Sequence, residues 1–284
     1  MEHKVEGTLL IIGGAEDKDG KCEILKRFID LAGGEKAYVV VLTTATQEPE
    51  TAGREYYEIF HGLGAGIVEV LDLDSRKKAN HLFTERLMEK ATGIFFTGGD
   101  QLRITAALGG TTADDALKKA YRRGAVIAGT SAGASVMSNT MIVEGDSSQA
   151  PKLNTIKMAP GLGLLKEVVI DQHFAQRGRT GRLLSAVAHN PYILGVGIDE
   201  DTAILVYPDA RLEIIGSQTV TFLEGRHMAF SNVSEHSPGQ ALAVGNMILH
   251  VLPKGFGFDL NTRKPTRFQE EKGENNENHR NQAH

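Results

Sequence analysis

Residues 125–135 read Ala125-Val126-Ile127-Ala128-Gly129-Thr130-Ser131-Ala132-Gly133-Ala134-Ser135. An apolar run breaks into Gly129-x-Ser131-x-Gly133 and then into small helix formers. That is the order of a buried strand, a turn too tight for any flanking side chain larger than hydrogen, and a helix that begins at once. Such a turn pushes the Ser131 hydroxyl outward. It also aims the positive end of the helix, with the Ala132 N–H, at any oxyanion formed beside it. Small-residue turns between strand and helix are common in α/β proteins, so the rest of the chain decides what this one does.

Upstream, strand and helix patterns alternate. Thr8 to Ile12, Tyr38 to Leu42, Gly66 to Leu71 and Thr92 to Phe96 are short runs suited to strands in a parallel sheet. Between them, apolar Cys22, Leu25, Phe28, Ile29 and Ala32 fall at helical spacing and stop at Gly33-Gly34. Further helices are predicted over 54–63, 82–91, 102–108 and 114–123. The fold class that follows is α/β: a doubly wound, mostly parallel sheet with helices on both faces. Beyond the elbow, residues 167–170 and 193–198 read as further strands and 180–189 as a helix. The period then changes to two over 202–207 and 211–216, flanking Pro208-Asp209-Ala210. Residues 219–223 and 240–251 continue a β-rich antiparallel C-terminal section. Residues 144–160, rich in Ser, Gln, Asn and Pro, read as a loop that covers a site. A single domain over 1–262 is expected. The polar residues 263–284 have too little apolar area to offset the entropy of ordering.

The 284 residues include 31 Lys and Arg against 36 Asp and Glu, a formal net charge of −5. This argues against a general nucleic-acid partner, which needs a basic surface. The single cysteine, Cys22, excludes an intramolecular disulfide and suggests no cysteine–histidine metal cage. No apolar run is long enough to span a bilayer, and residues 1–6 lack the layout of a signal peptide. A cytoplasmic protein with no membrane partner is the expectation.

Ligands of open parallel sheets sit outside the carboxyl ends of the strands. Gly98-Gly99-Asp100-Gln101, Thr130-Ser131-Ala132, Asp171-Gln172-His173 and Asp199-Glu200-Asp201 all follow strands in this way. A serine, a histidine and a carboxylate are therefore expected on one rim. A serine hydroxyl is a poor nucleophile at neutral pH and needs a base within hydrogen-bond reach, held in one tautomer by a third group. His173 fits the base and Glu200 the orienting acid, with Asp199 or Asp201 as alternatives. The Gly98-Gly99 pair is either a plain tight turn or a segment whose N–H, at Gly99, joins that of Ala132 in an oxyanion hole. Arg177, Arg179 and Arg182 place three guanidiniums within six residues. They read either as a site for carboxylate or phosphate or as a solvated loop. Gly13-Gly14-Ala15 lacks the third glycine of a dinucleotide fingerprint.

Taken together, Gly129-Thr130-Ser131-Ala132-Gly133-Ala134, Phe96-Thr97-Gly98-Gly99-Asp100-Gln101 and Asp171-Gln172-His173-Phe174 with its arginines resemble the cyanophycinases. These are relatives of the aspartyl dipeptidases, serine peptidases on a fold similar to class I glutamine amidotransferases. The similarity runs from about Gly7 to Leu260. Amidotransferases keep cysteine at the elbow, where this chain has serine. The resemblance implies an intracellular exopeptidase that degrades cyanophycin, a polyaspartate whose β-carboxyls carry arginine, to β-aspartyl-arginine dipeptides. It implies Ser131 as nucleophile, His173 as base and Glu200 as third member. Gln101, Asp171, Gln172, Arg177, Arg179 and Arg182 would then line the substrate site. It further implies a homodimer and no metal or other cofactor. In this picture the chain's guanidiniums pair with the α-carboxylates of the arginyl branches, while Asp171, Gln101 and Gln172 accept from the branch guanidiniums. Two other readings stay open: an aspartyl or β-aspartyl dipeptidase using the same serine, and a non-catalytic amidotransferase-like protein that holds an anionic ligand.

Overall fold

The computed structural model describes residues 5–145, 151–153, 156–235 and 239–267. Its first half alternates as the sequence suggests: β1 (Leu9–Ile12), α1 (Glu23–Ala32), β2 (Tyr38–Leu42), α2 (Pro49–Gly62) and β3 (Ile67–Leu71). There follow α3 (Arg76–Ala79), α4 (Leu82–Lys90), β4 (Gly93–Phe96), α5 (Gln101–Leu108), α6 (Thr112–Arg123), β5 (Val126–Thr130) and the short α7 (Ala132–Ser135). The second half contains β6 (Thr140–Gly145), β7 (Ile156–Pro160), β8 (Val168–Gln172), α8 (Thr180–His189), β9 (Leu194–Ile198), β10 (Thr202–Val206) and β11 (Arg211–Gly216). It closes with β12 (Thr219–Glu224), β13 (Phe230–Ser231), β14 (Val244–Gly245), β15 (Ile248–Pro253), β16 (Phe256–Asp259) and β17 (Lys264–Arg267).

The larger sheet has the order β17-β16-β11-β10-β1-β5-β4-β2-β3. From β1 to β3 all neighbours are parallel, and from β10 outward all are antiparallel. Side chains alternate across a strand, so Leu9 and Ile11 pack into the core on one face and Leu10 and Ile12 into the core on the other. α1 and α2 cover the second face, where Phe28, Phe60 and Phe95 meet ring to ring. α1 starts one residue later than its apolar spacing suggests: Cys22 is its N-cap, in a left-handed conformation. α6 delivers the chain to β5. Thr111 caps its N-terminus and Gly124, at φ 103°, stops it, with Arg122 and Arg123 in the last turn where the helix end is negative.

One expectation needs correction. β8 and β9 do not continue the larger sheet. They pair parallel to each other in a second sheet of order β15-β12-β9-β8, which packs over the opposite face through Val196, Ile198, Val220 and Phe222. α8 closes the outer side of that sheet against Val169, Phe174 and Leu223. A strand buried on both faces carries the same apolar run whichever sheet it joins, so periodicity does not reveal membership.

Three smaller differences are local. The stretch 144–160 is in part a hairpin: β6 pairs antiparallel with β7, with a register shift between Ile142 and Glu144. Residues 146–150 and 154–155 of that stretch lie outside the described residues. The predicted strand over 240–251 is broken at Asn246, which has φ 63°. β17 carries the larger sheet past residue 262, while residues 268–284 of the expected polar tail lie outside the described residues.

Candidate active site

The elbow forms as its residues dictate. Ser131 sits at φ 53°, ψ −111°, a conformation that ordinary side chains avoid and that turns its hydroxyl out of the sheet. Gly133 faces the Phe96 carbonyl so closely that a Cβ there would lie 2.5 Å from the oxygen. The Ser131 N–H donates to the Ile12 carbonyl at 3.1 Å, tying the elbow to the neighbouring strand. Ala132 opens α7, so its N–H has no partner within the helix. The Gly98–Gly99 turn at the end of β4 runs beside it: a Cβ on Gly98 would stand 3.5 Å from that of Ser131. Gly99 has φ 141° and lies flush against the Ala45 carbonyl.

His173 follows β8 and Glu200 follows β9, so both arrive from the second sheet. The Ser131 Oγ is 2.9 Å from His173 Nε2, and His173 Nδ1 is 2.6 Å from Glu200 Oε1. Of the three acids in a row, Glu200 is the one that meets the ring. Asp199 instead accepts from the Ala175 N–H at 3.0 Å and from the Thr219 hydroxyl at 2.7 Å, and Asp201 accepts from the Asp17 N–H at 2.9 Å. Burial holds the His173 pKa below its ordinary value near 6.5. The Arg177 and Arg179 charges push the same way, and the hydrogen bond to Glu200 opposes them without prevailing. The imidazole is therefore neutral at neutral pH, as a proton acceptor must be.

The arginines divide into two kinds. Arg177 is exposed. Arg179 and Arg182 are buried and both bind Asp171: Arg182 grips it with Nε, at 2.6 Å, and Nη2, and Arg179 Nη1 reaches it at 3.2 Å and the Gln172 side-chain oxygen at 2.8 Å. Burial lowers the Arg179 pKa to about 10, which leaves it charged at neutral pH. Two guanidiniums and one carboxylate leave a net positive charge under the site in a chain that is acidic as a whole. This differs from the expected division of labour, because both oxygens of Asp171 already accept from the chain's own arginines. Gln101 opens α5 and donates to the Ile142 carbonyl at 3.0 Å, which ties the β6–β7 hairpin to the rim.

The turn after β1, to which the sequence assigns no part in the site, also belongs to it. Gly14 lies flat against the imidazole; a Cβ there would stand 2.4 Å from His173 Cε1. Gln176 accepts from the Glu200 N–H at 3.1 Å. The Gly13-Gly14 pair was visible as a turn, but only the strand order, with β1 beside β5, brings that turn to the elbow. Among the described residues, no group of three or more His, Cys, Asp or Glu could hold a metal ion, and no helix is long and apolar enough to cross a membrane.

The profile of peptidase family S51 matches residues 9–214. A cyanophycinase of Geminocystis herdmanii is 40% identical over 266 residues, covering 93% of this chain and 98% of its own. A cyanophycinase of a Nostoc species is 41% identical over 257 residues, covering 90% of this chain and 86% of its own. The fold is shared with a crystallised peptidase from an acI-B1 actinobacterium, at TM-score 0.62 and 22% identity, over 87% of this chain and 98% of that one.

Proposed function

This chain belongs to peptidase family S51, and from that premise we propose that it is a serine exopeptidase that hydrolyses cyanophycin to β-aspartyl-arginine dipeptides through an acyl-enzyme. The observation that carries this reading is the unbroken relay from Ser131 Oγ through His173 to Glu200, at 2.9 and 2.6 Å. Ser131 attacks a backbone aspartyl carbonyl while His173 Nε2 takes its proton. Glu200 holds the ring with Nε2 facing the serine and stabilises the imidazolium that forms. The N–H groups of Gly99 and Ala132 receive the oxyanion, supported by the positive end of α7. His173 then returns the proton to the leaving amine, and a water deprotonated by the same ring releases the acyl group.

The substrate carries a carboxylate and a guanidinium on every branch. Arg177, with the net positive charge of the Asp171–Arg179–Arg182 cluster behind it, provides for the carboxylate. Gln101 and Gln172 provide polar groups alongside. The same reading includes a homodimer acting in the cytoplasm. Exposed Leu249 and Val251 on edge strand β15 offer apolar surface for a contact between copies.

The test is direct. Pure protein incubated with insoluble cyanophycin is expected to release β-aspartyl-arginine, and Ser131→Ala to release none. Equal or better cleavage of soluble Asp-X peptides would make the chain a dipeptidase. Undiminished polymer hydrolysis by Ser131→Ala would overturn the mechanism.

A further inference from the structure

Glu16 is a carboxylate only 5% exposed, in the segment between β1 and α1. Both of its oxygens are held by neutral hydroxyls. Tyr56 donates to Oε1 at 2.5 Å, and Thr130, the residue before the nucleophile, donates to Oε2 at 2.5 Å.

The segment that Glu16 anchors bonds directly to Ser131 and His173 and reaches Glu200 through its neighbour Asp201. The Ile12 carbonyl accepts from Ser131 N, the Gly13 carbonyl from His173 N at 2.8 Å, and the Gly14 carbonyl from Asp201 N, next to Glu200, at 2.9 Å. Asp17 N reaches back to the Asp201 side chain. Gly14 itself is the surface on which the imidazole lies. The relay's members come from two different sheets, and residues 12–17 join those sheets at the reacting atoms. That segment includes left-handed Gly14, at φ 100°, and Ala15, at φ 47°, the latter a conformation that costs a residue with a Cβ energy unless its surroundings impose it.

We infer that Glu16 is a positioning residue for the acyl transfer: by clamping residues 13–17 to Thr130, it fixes the floor under the His173 ring and so the line from Ser131 Oγ to Nε2. This rests on the serine–histidine–glutamate reading above. Removing the carboxylate leaves the Thr130 and Tyr56 hydroxyls without that acceptor and frees the segment to move. A small displacement between nucleophile and base is enough to slow reaction by about 100-fold. The carboxamide of glutamine keeps one acceptor oxygen and offers an N–H₂ to the other hydroxyl, which rotates to accept it. The clamp therefore depends on hydrogen bonding more than on charge.

The experiment compares Glu16→Ala, Glu16→Gln and Ser131→Ala on cyanophycin, with active centres counted by a serine-directed covalent reagent and folding checked by circular dichroism. Glu16→Ala is expected to lower kcat per titrated centre by about 10- to 100-fold, with KM changed less than about twofold. The acid limb of its kcat/KM profile should move up, toward the value of a hydrated imidazole. Glu16→Gln is expected to stay within about threefold of the parent. A purely structural role would lower the number of centres and leave kcat per centre and the acid limb where they were; that result overturns the inference. A folded Glu16→Gln as impaired as Glu16→Ala also overturns it. Should Glu16→Ala not fold, Thr130→Val removes only the elbow side of the clamp and is expected to show the same loss in kcat alone; unchanged kcat there is equally fatal. Turnover by Ser131→Ala would instead sink the reading on which this rests.

Discussion

His173 is held between opposing influences, and their balance has a sign that kinetics can read. Burial and the Arg177 and Arg179 charges disfavour its proton, while Glu200 favours it, and the net result is a pKa below the ordinary imidazole range. Activity needs the neutral ring, so kcat/KM is expected to rise as pH climbs through that lowered pKa. Its acid limb should therefore fall below about 6.5. Arg177→Ala removes one of the charges opposing the proton and is expected to move the limb upward; a downward move would contradict this account. Glu200→Gln removes the influence that favours the proton and releases the tautomer. Its kcat is expected to fall by roughly 10⁴-fold, by analogy with the buried acid of other serine triads, while the limb moves further down. A loss below about tenfold would show that another group orients the ring.

At the scale of elements, the site consists of exits: the turns after β1, β4, β5, β8 and β9 supply every group the proposed mechanism uses. Gly14→Ala tests how closely they fit. Its Cβ would stand 2.4 Å from the imidazole, on a backbone at φ 100°, so the ring must leave the serine. We expect a drop in turnover of at least about 100-fold with near-normal binding, measured as a split between kcat and KM. Much of this was legible in the sequence. The G-x-S-x-G turn, His173 after its strand and Glu200 among its acids were each readable from the type of residue and the strand that precedes it. The contribution of Gly14 and Glu16 was not, because it depends on β1 lying beside β5, which no local pattern encodes. The choice of Glu200 over Asp199 and Asp201 was weak in the residues themselves and came mainly from the family resemblance. Consecutive residues past a strand end point in different directions, and only the course of the turn decides which of them meets the ring.

At the scale of the whole molecule, two sheets must dock in one register for serine and histidine to meet. The sequence suggested a single rim, since β8 opens on the apolar run Val168-Val169-Ile170 and β9 carries no polar side chain. In the structure the rim is made by stacking, with the second sheet laid over the first and its strand ends brought to the elbow. The Asp171–Arg179–Arg182 cluster lies on the outer side of the second sheet, between β8 and the start of α8, with Asp171 only 1% exposed. Arg182→Ala removes a two-pronged partner from a buried carboxylate and is expected to lower unfolding free energy by about 3 kcal/mol, with Arg179 limiting the loss. Urea denaturation measures it, and a change below about 0.5 kcal/mol would mean the cluster is not buried in solution. Sedimentation equilibrium checks the proposed homodimer, for which twice the chain mass is expected.

The central claim is that Ser131 carries the acyl group, activated by a base from the other sheet. Acid quench during turnover of cyanophycin, followed by peptide mass mapping, tests it most directly. The expected result is an aspartyl ester that still carries its β-linked arginine, on the peptide containing Ser131, absent from Ser131→Ala and from His173→Ala. An adduct on any other residue, or continued dipeptide release by Ser131→Ala with no adduct at all, would contradict it.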